Sequence, residues 1–138
     1  MTILLSIDSK YVEKILNKTK KYEFRGWKLP EKIKFVYIYS SRIEKKIVAR
    51  FEVKEVHSDT PDSIWEKFKY DAGVTEDEYF KYVNKLKYSS IYAIEIYNLV
   101  LFIRPVSLLN VDMKLHPPQK FTYLNVEQIK ILEGYFDK

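Results

Sequence analysis

Apolar positions come in short runs separated by polar turns, and the period of each run indicates the element it forms. Ile3, Leu4, Leu5 and Ile7, interrupted only by Ser6, make an apolar run of buried-strand type. Over residues 9–17 the period changes: Val12, Ile15 and Leu16 lie at helical spacing with Glu13 and Lys14 outside, and Asp8 or Ser9 can cap that helix. Residues 19–25 alternate again. If extended, they put Lys20, Tyr22 and Phe24 on one face and Thr19, Lys21, Glu23 and Arg25 on the other, before Gly26 and Pro30 turn the chain.

The same reading continues to the end. Residues 34–39 are β-branched and aromatic and end at Ser40-Ser41, and residues 47–56 alternate most clearly, with Ile47, Ala49, Phe51, Val53 and Val56 against Arg50, Glu52, Lys54 and Glu55. Thr60-Pro61-Asp62 opens a helix through Ile64, Trp65 and Phe68, Asp71-Ala72-Gly73 breaks it, and Thr75 with Glu78 is a capping box for a second helix. Residues 91–96 form a strand that residues 99–103 continue or pair with after a bend at Asn98. Pro105 and Pro117-Pro118 bound a loop, residues 119–124 follow, and Asn125 caps a last helix carrying Val126, Ile129, Ile131, Leu132, Tyr135 and Phe136. Five or six strands with short helices between them and no linker or repeat predict one domain over residues 1–138, an α+β unit whose sheet curls into a small barrel.

Composition narrows the function classes. No apolar run approaches a membrane span, and the start at Met1 lacks the basic region of a signal peptide, so a cytoplasmic protein without membrane contact is expected. Without cysteine there is no disulfide, thiolate metal site or Cys nucleophile, and His57 and His116 stand in no ligand spacing; no metal and no cofactor are expected. A net charge of +5 and a pI near 9.2 suit a nucleic-acid partner, though the basic residues are dispersed. Twelve Tyr and eight Phe are available either for stacking on bases or for lining a β-rich core.

Candidate chemistry concentrates after the first helix, where Lys20, Glu23 and Arg25 are delivered to the start of a strand. They read as a small polar pocket or as an ordinary surface ion pair. Ser6 is a satisfied core hydroxyl or a pocket-lining group, and Ser40, at a strand end, leaves room for a ligand or simply turns the chain. Ser40 and Ser41 have no histidine partner for a hydrolytic triad. Trp65 follows the helical apolar pattern and reads as packing. Gln119, behind the stiff Pro117-Pro118, points into the cleft or ties loop backbone.

Leu5-Ser6-Ile7, then a helix, then Lys20-x-x-Glu23-x-Arg25 resembles the signature of the ASCH domains, a branch of the PUA-like superfamily, with Lys18 where that signature usually has Gly. The Lys in place of Gly suggests a looser, more basic turn into the strand. Residues 34–41, 47–56 and 93–96, the paired helices after Thr60, and Pro117-Pro118-Gln119-x-Phe121-x-Tyr123-Leu124 extend the resemblance over nearly the whole chain, to small stand-alone archaeal and bacterial ASCH proteins. It implies a small β-barrel with a cleft beside the first helix, holding Lys20, Glu23 and Arg25, and RNA or a nucleotide-like ligand as partner.

Two readings follow from the resemblance. In the first the protein is a binding module. Lys20 and Arg25 meet phosphate or a base edge, Glu23 accepts from an exocyclic amine or holds Arg25, and Tyr22, Trp27, Tyr39, Phe121 or Tyr123 stack, with Ser6, Ser40 and Gln119 nearby. In the second it is a hydrolase. Some ASCH relatives deacetylate acetylcytidine with a Lys, a Thr three residues later and a Glu from the helical insertion at residues 60–84. Lys20 matches the first, Glu23 replaces the Thr, and the distal Glu falls near Ala72 beside Asp71. Lys20 with Glu23 and Asp71 would then activate water for amide or phosphodiester hydrolysis. The ligand and the oligomeric state are left open.

Overall fold

In the computed structural model, which describes residues 1–136, the chain builds one six-stranded sheet and four α-helices. The strands are β1 (Thr2–Ile7), β2 (Tyr22–Arg25), β3 (Phe35–Ser40), β4 (Lys46–Asp59), β5 (Ile91–Val106) and β6 (Phe121–Tyr123). The helices are α1 (Ser9–Leu16), α2 (Pro61–Phe68), α3 (Glu76–Leu86) and α4 (Val126–Glu133). Strand order is β2-β5-β4-β3-β1-β6, with β1 and β3 parallel and every other neighbouring pair antiparallel. The expected mostly antiparallel α+β sheet with inserted helices is present, as a curled half-barrel rather than a closed barrel.

Both faces of the sheet's centre are covered, which is why β1 reads as continuously apolar. On one face Ile3, Leu5, Ile7, Val36, Ile38 and Phe51 pack with Val12 and Ile15 of α1. On the other, Leu4, Tyr37, Tyr39 and Ile47 pack with Phe102 and with Leu132 of α4. A third cluster joins Phe24 and Ile91 to Ile64 and Trp65 of α2 and Tyr79 of α3, so Trp65 is packing. The two sheet edges approach each other through side chains. Arg25 Nη2 donates to the Ser6 carbonyl at 2.9 Å, and the Trp27 and Phe121 rings stack with centroids 5.3 Å apart.

Local chemistry places the helices where the sequence expects them. Asp8 accepts from the Lys10 N–H to cap α1, Thr60 from Ser63 for α2, and Thr75–Glu78 and Asn125–Gln128 form complete capping boxes for α3 and α4. Four expectations are corrected. The strand expected from Thr19 starts at Tyr22, because Lys20 makes an isolated bridge to Ala72 instead. Lys18 adopts φ +67°, the left-handed conformation that a Gly favours, so the helix ends as tightly as it would with Gly. Pro105, expected to bound a loop, lies inside β5, whose residues 99–103 continue it through Asn98 at φ +48°, the first of the two alternatives the sequence offers. Tyr135 and Phe136 lie beyond the end of α4, where Phe136 stacks on Phe102 at 4.3 Å. Among the described residues no helix is long and apolar enough to cross a membrane.

Candidate functional site

A cavity of about 250 Å³ opens between α1, β2 and α3. Its inner end is built by the chain leaving α1. The left-handed turn at Lys18 lets the Thr19 and Lys20 N–H groups both reach the Lys14 carbonyl, which bends the chain sharply inward. Lys20 then runs beside the break between α2 and α3. It is 2% exposed, and its Nζ donates to the Ala72 carbonyl at 2.8 Å.

The same Nζ lies 3.6 Å from Glu23 Oε1 and 4.7 Å from the centroid of the Phe24 ring. Glu23, itself 6% exposed, takes Arg25 on its other oxygen at 2.7 Å. Arg25 is steered by Ser6 below and by the face of Trp27, 5.8 Å away. One buried carboxylate thus bridges two cations. Burial pushes the Lys20 ammonium below its usual range; Glu23 opposes that shift and Arg25 adds to it.

The opposite wall comes from the helical insertion. Glu78 closes the capping box of α3 and also accepts from Lys10 and from the Tyr11 hydroxyl, the latter at 3.0 Å. Its bond from Lys10, helped by the Thr75 N–H, holds its carboxyl down at about 2, while burial and Glu78 push the Tyr11 phenol up to about 12. Tyr82, one turn after Glu78, accepts from the Gly26 N–H at 3.2 Å, and burial raises its phenol too. Tyr79 donates to the Pro61 carbonyl at 2.7 Å and packs edge-on against Phe24.

Of the residues singled out in the sequence, Ser6, Lys20, Glu23 and Arg25 line this one cavity. Lys20 and Glu23 do so although strict alternation would put them on opposite faces, because the strand begins only at Tyr22. The Ser6 hydroxyl donates to the Pro118 carbonyl at 2.6 Å and so ties the Pro-Pro segment to β1. The others lie elsewhere. Tyr39 is buried on the far face of the sheet, and Ser40 shares a hydrogen bond with Ser9 at 2.7 Å and donates to Glu44. Phe121 packs on Trp27, and Gln119 does not line the cavity. Asp71 pairs with Lys21 at 3.6 Å, not with Lys20. The carboxylate that the insertion brings to the cavity is Glu78.

Tyr11, Glu78 and Tyr82 escaped the sequence reading. Glu78 and Tyr82 stand at i and i+4 on α3 and therefore share a face, a signal that was present but looked like an ordinary capping box. A larger depression of about 890 Å³ beside Asp8 and Arg42 is open, and its Asp8–Arg42 ion pair is solvent-exposed. Three side chains that could hold a metal ion are grouped away from the cavity. His57 Nε2 is 3.0 Å from Glu95 Oε1 and 3.7 Å from Glu55 Oε2, with Lys54 Nζ 3.9 Å from Glu95. Lys54 already supplies positive charge there.

Solved structures share this fold. The ASCH protein of Zymomonas mobilis matches with a TM-score of 0.88 at 19% identity, covering 96% of this chain and 94% of that one. A Ser-to-Ala variant of it gives 0.87 at 20% identity with the same coverage. The N-terminal domain of McrB from Staphylothermus marinus matches at 0.54 and 11% identity, covering 96% of this chain and 93% of that one. At such identities the likeness is one of fold, and the fold is that of the ASCH protein, as the resemblance of Lys20-x-x-Glu23-x-Arg25 to the ASCH signature implies. No curated protein matches the sequence. Residues 1–113 match the family described as "Domain of unknown function (DUF365)", and the chain belongs to that family.

Proposed function

We propose that the protein binds RNA or a nucleotide-like ligand by admitting a single base into the cavity between α1, β2 and α3. The observation that carries this reading is the buried Glu23 carboxylate held between Lys20 and Arg25 at the inner end of an aromatic-walled cavity. A buried ion pair seldom adds net stability compared with apolar packing, so its presence beside an opening favours recognition over scaffolding. Glu23 accepts from an exocyclic amine, Arg25 and Lys20 donate to a base carbonyl or a phosphate, and Phe24 and Tyr79 supply apolar walls. The cavity lies just below the range of roughly 300–1,000 Å³ typical of drug-sized ligands, which suits one base rather than a strand. The dispersed charge of +5 would add a weak, salt-sensitive attraction to the rest of the chain of nucleotides.

The test is titration of wild type, Glu23→Gln and Lys14→Ala with single-stranded RNA, single-stranded DNA and a nucleoside panel including acetylcytidine, at two salt concentrations. Selective loss in Glu23→Gln supports a base pocket. Equal losses in Glu23→Gln and Lys14→Ala leave only general charge attraction and overturn the reading.

A second reading, an amide or phosphodiester hydrolase, has one observation in its favour. Burial lowers the Lys20 ammonium, so a larger fraction of neutral amine is available to take a proton from water beside Glu23 and Tyr11. Product formation from the same panel, abolished by Lys20→Met, would select it.

A further inference from the structure

The second half of β5 has an open edge. On one side β4 accompanies β5 from Ile91 to Val106, with register shifts that leave Asn98, Leu99 and residues 102–105 without a partner on β4. On the other, β2 pairs only with Tyr92, Ala93, Ile94 and Glu95, and the Ile96 N–H still reaches the Lys21 carbonyl at 3.0 Å. Beyond that point no strand among the described residues covers the edge of residues 97–106. Its backbone donors and acceptors are therefore a template for another strand.

The side chains along this edge fit that role. Tyr97 is 49% exposed, Leu101 45% and Ile103 67%, and residues 99–103 carry no charge. Strands that stay unpaired are usually blunted by charge within them. Here Arg104 and Pro105 come only at the end, where proline stops further pairing. Arg104 is exposed and makes no hydrogen bond or ion pair among the described residues. On the neighbouring strand, Glu52 accepts from the Asn98 amide at 2.6 Å and has no cationic partner among the described residues.

We propose that this edge joins two copies of the chain, β5 against β5, antiparallel about a two-fold axis at Leu101. Antiparallel pairing about a centre near Leu101 turns the Arg104 end of each strand towards the Asn98 end of its copy. The apolar run of residues 99–103 then faces its own copy, and Arg104 reaches the partner's Asn98 end. That brings the unpaired guanidinium beside Glu52, twice by symmetry. The edge is thus complementary to itself in both shape and charge, as a two-fold interface must be. The result is one sheet running through both copies, with both cavities left free.

Sedimentation equilibrium of the full chain tests this with Leu101→Lys, Arg104→Glu, Glu52→Arg and the Glu52→Arg/Arg104→Glu pair, each checked by circular dichroism for unchanged folding. All three positions are exposed or half-exposed, so the fold should tolerate them. We expect a dimeric wild type, a monomeric Leu101→Lys, a dissociation constant raised about tenfold or more by Arg104→Glu, and recovery in the charge-exchanged pair. A wild type that stays monomeric at high micromolar concentration overturns the proposal. So does a dimer indifferent to Leu101→Lys, or one not recovered by exchanging the two charges.

Discussion

A Cβ placed on Gly73 would lie 2.3 Å from the Cβ of Lys20 and 2.8 Å from its Cα. The break between α2 and α3 is therefore pressed directly against the residue at the inner end of the cavity. Gly73 also sits at φ +65°, where an L side chain is strained whatever the space. Gly73→Ala is expected to cost about 1–3 kcal/mol by overpacking, read by urea denaturation. It should weaken ligand binding more than that loss of stability explains, because the backbone of Lys20 has to move.

Among the described residues Glu23 is the only carboxylate within ion-pair distance of both Lys20 and Arg25. Glu23→Ala leaves two cations at a largely buried position without their counter-charge. The expected destabilisation is about 3–5 kcal/mol, measured as a shift in the denaturant midpoint at constant slope. Lys20→Met combined with Glu23→Leu should cost less than Glu23→Ala alone, since only Arg25, the more exposed of the two cations, is then left without its counter-charge. A small effect of Glu23→Ala would mean that water reaches the pair freely.

Glu78 gives the acid limb of the stability profile. Its carboxyl is held at about 2 in the folded chain, against 4.5 for a free glutamate. A depressed carboxyl contributes stability that is fully present above the unfolded value and is lost as pH falls from 4.5 towards 2. Glu78→Gln should therefore lower the melting temperature at neutral pH and converge on wild type in strong acid. Parallel melting curves at every pH would show that Lys10 and Tyr11 do not hold this carboxylate in solution.

Local chemistry was legible in the sequence, and distant contacts were not. The caps at Asp8, Thr60, Thr75 and Asn125 depend on groups two or three residues away, so reading along the chain finds them. Lys18 misled because its neighbours in sequence do not reveal that Lys14 collects the amides of Thr19 and Lys20. The meeting of Lys20 with Glu23 depends on Ala72, far along the chain, which ends the regular alternation that would have separated them. Ser40 reads as ligand-adjacent because it ends a strand, and Tyr39 because it is one of the aromatics able to stack. β3 is covered on both faces, however, and alternation then carries no information about which side meets a cavity. Glu78 was visible as a cap, and only the docking of α3 on α1 gives it a second role.

The parallel seam between β1 and β3, with β6 on the other flank of β1, has a kinetic consequence. Leu4 pairs with Tyr37 on one side and with Thr122 on the other, so a central strand is complete only when the two distant ends of the sequence have met. Helices α1 to α3 and the β4–β5 ribbon can assemble from nearby contacts, whereas the β1–β6 closure has the highest loop entropy of any pairing in the sheet. Refolding should accordingly run slowly for a chain of this size, with β6 docking last. While β6 is undocked, the outer edge of β1 is the template on which a misfolding chain would grow.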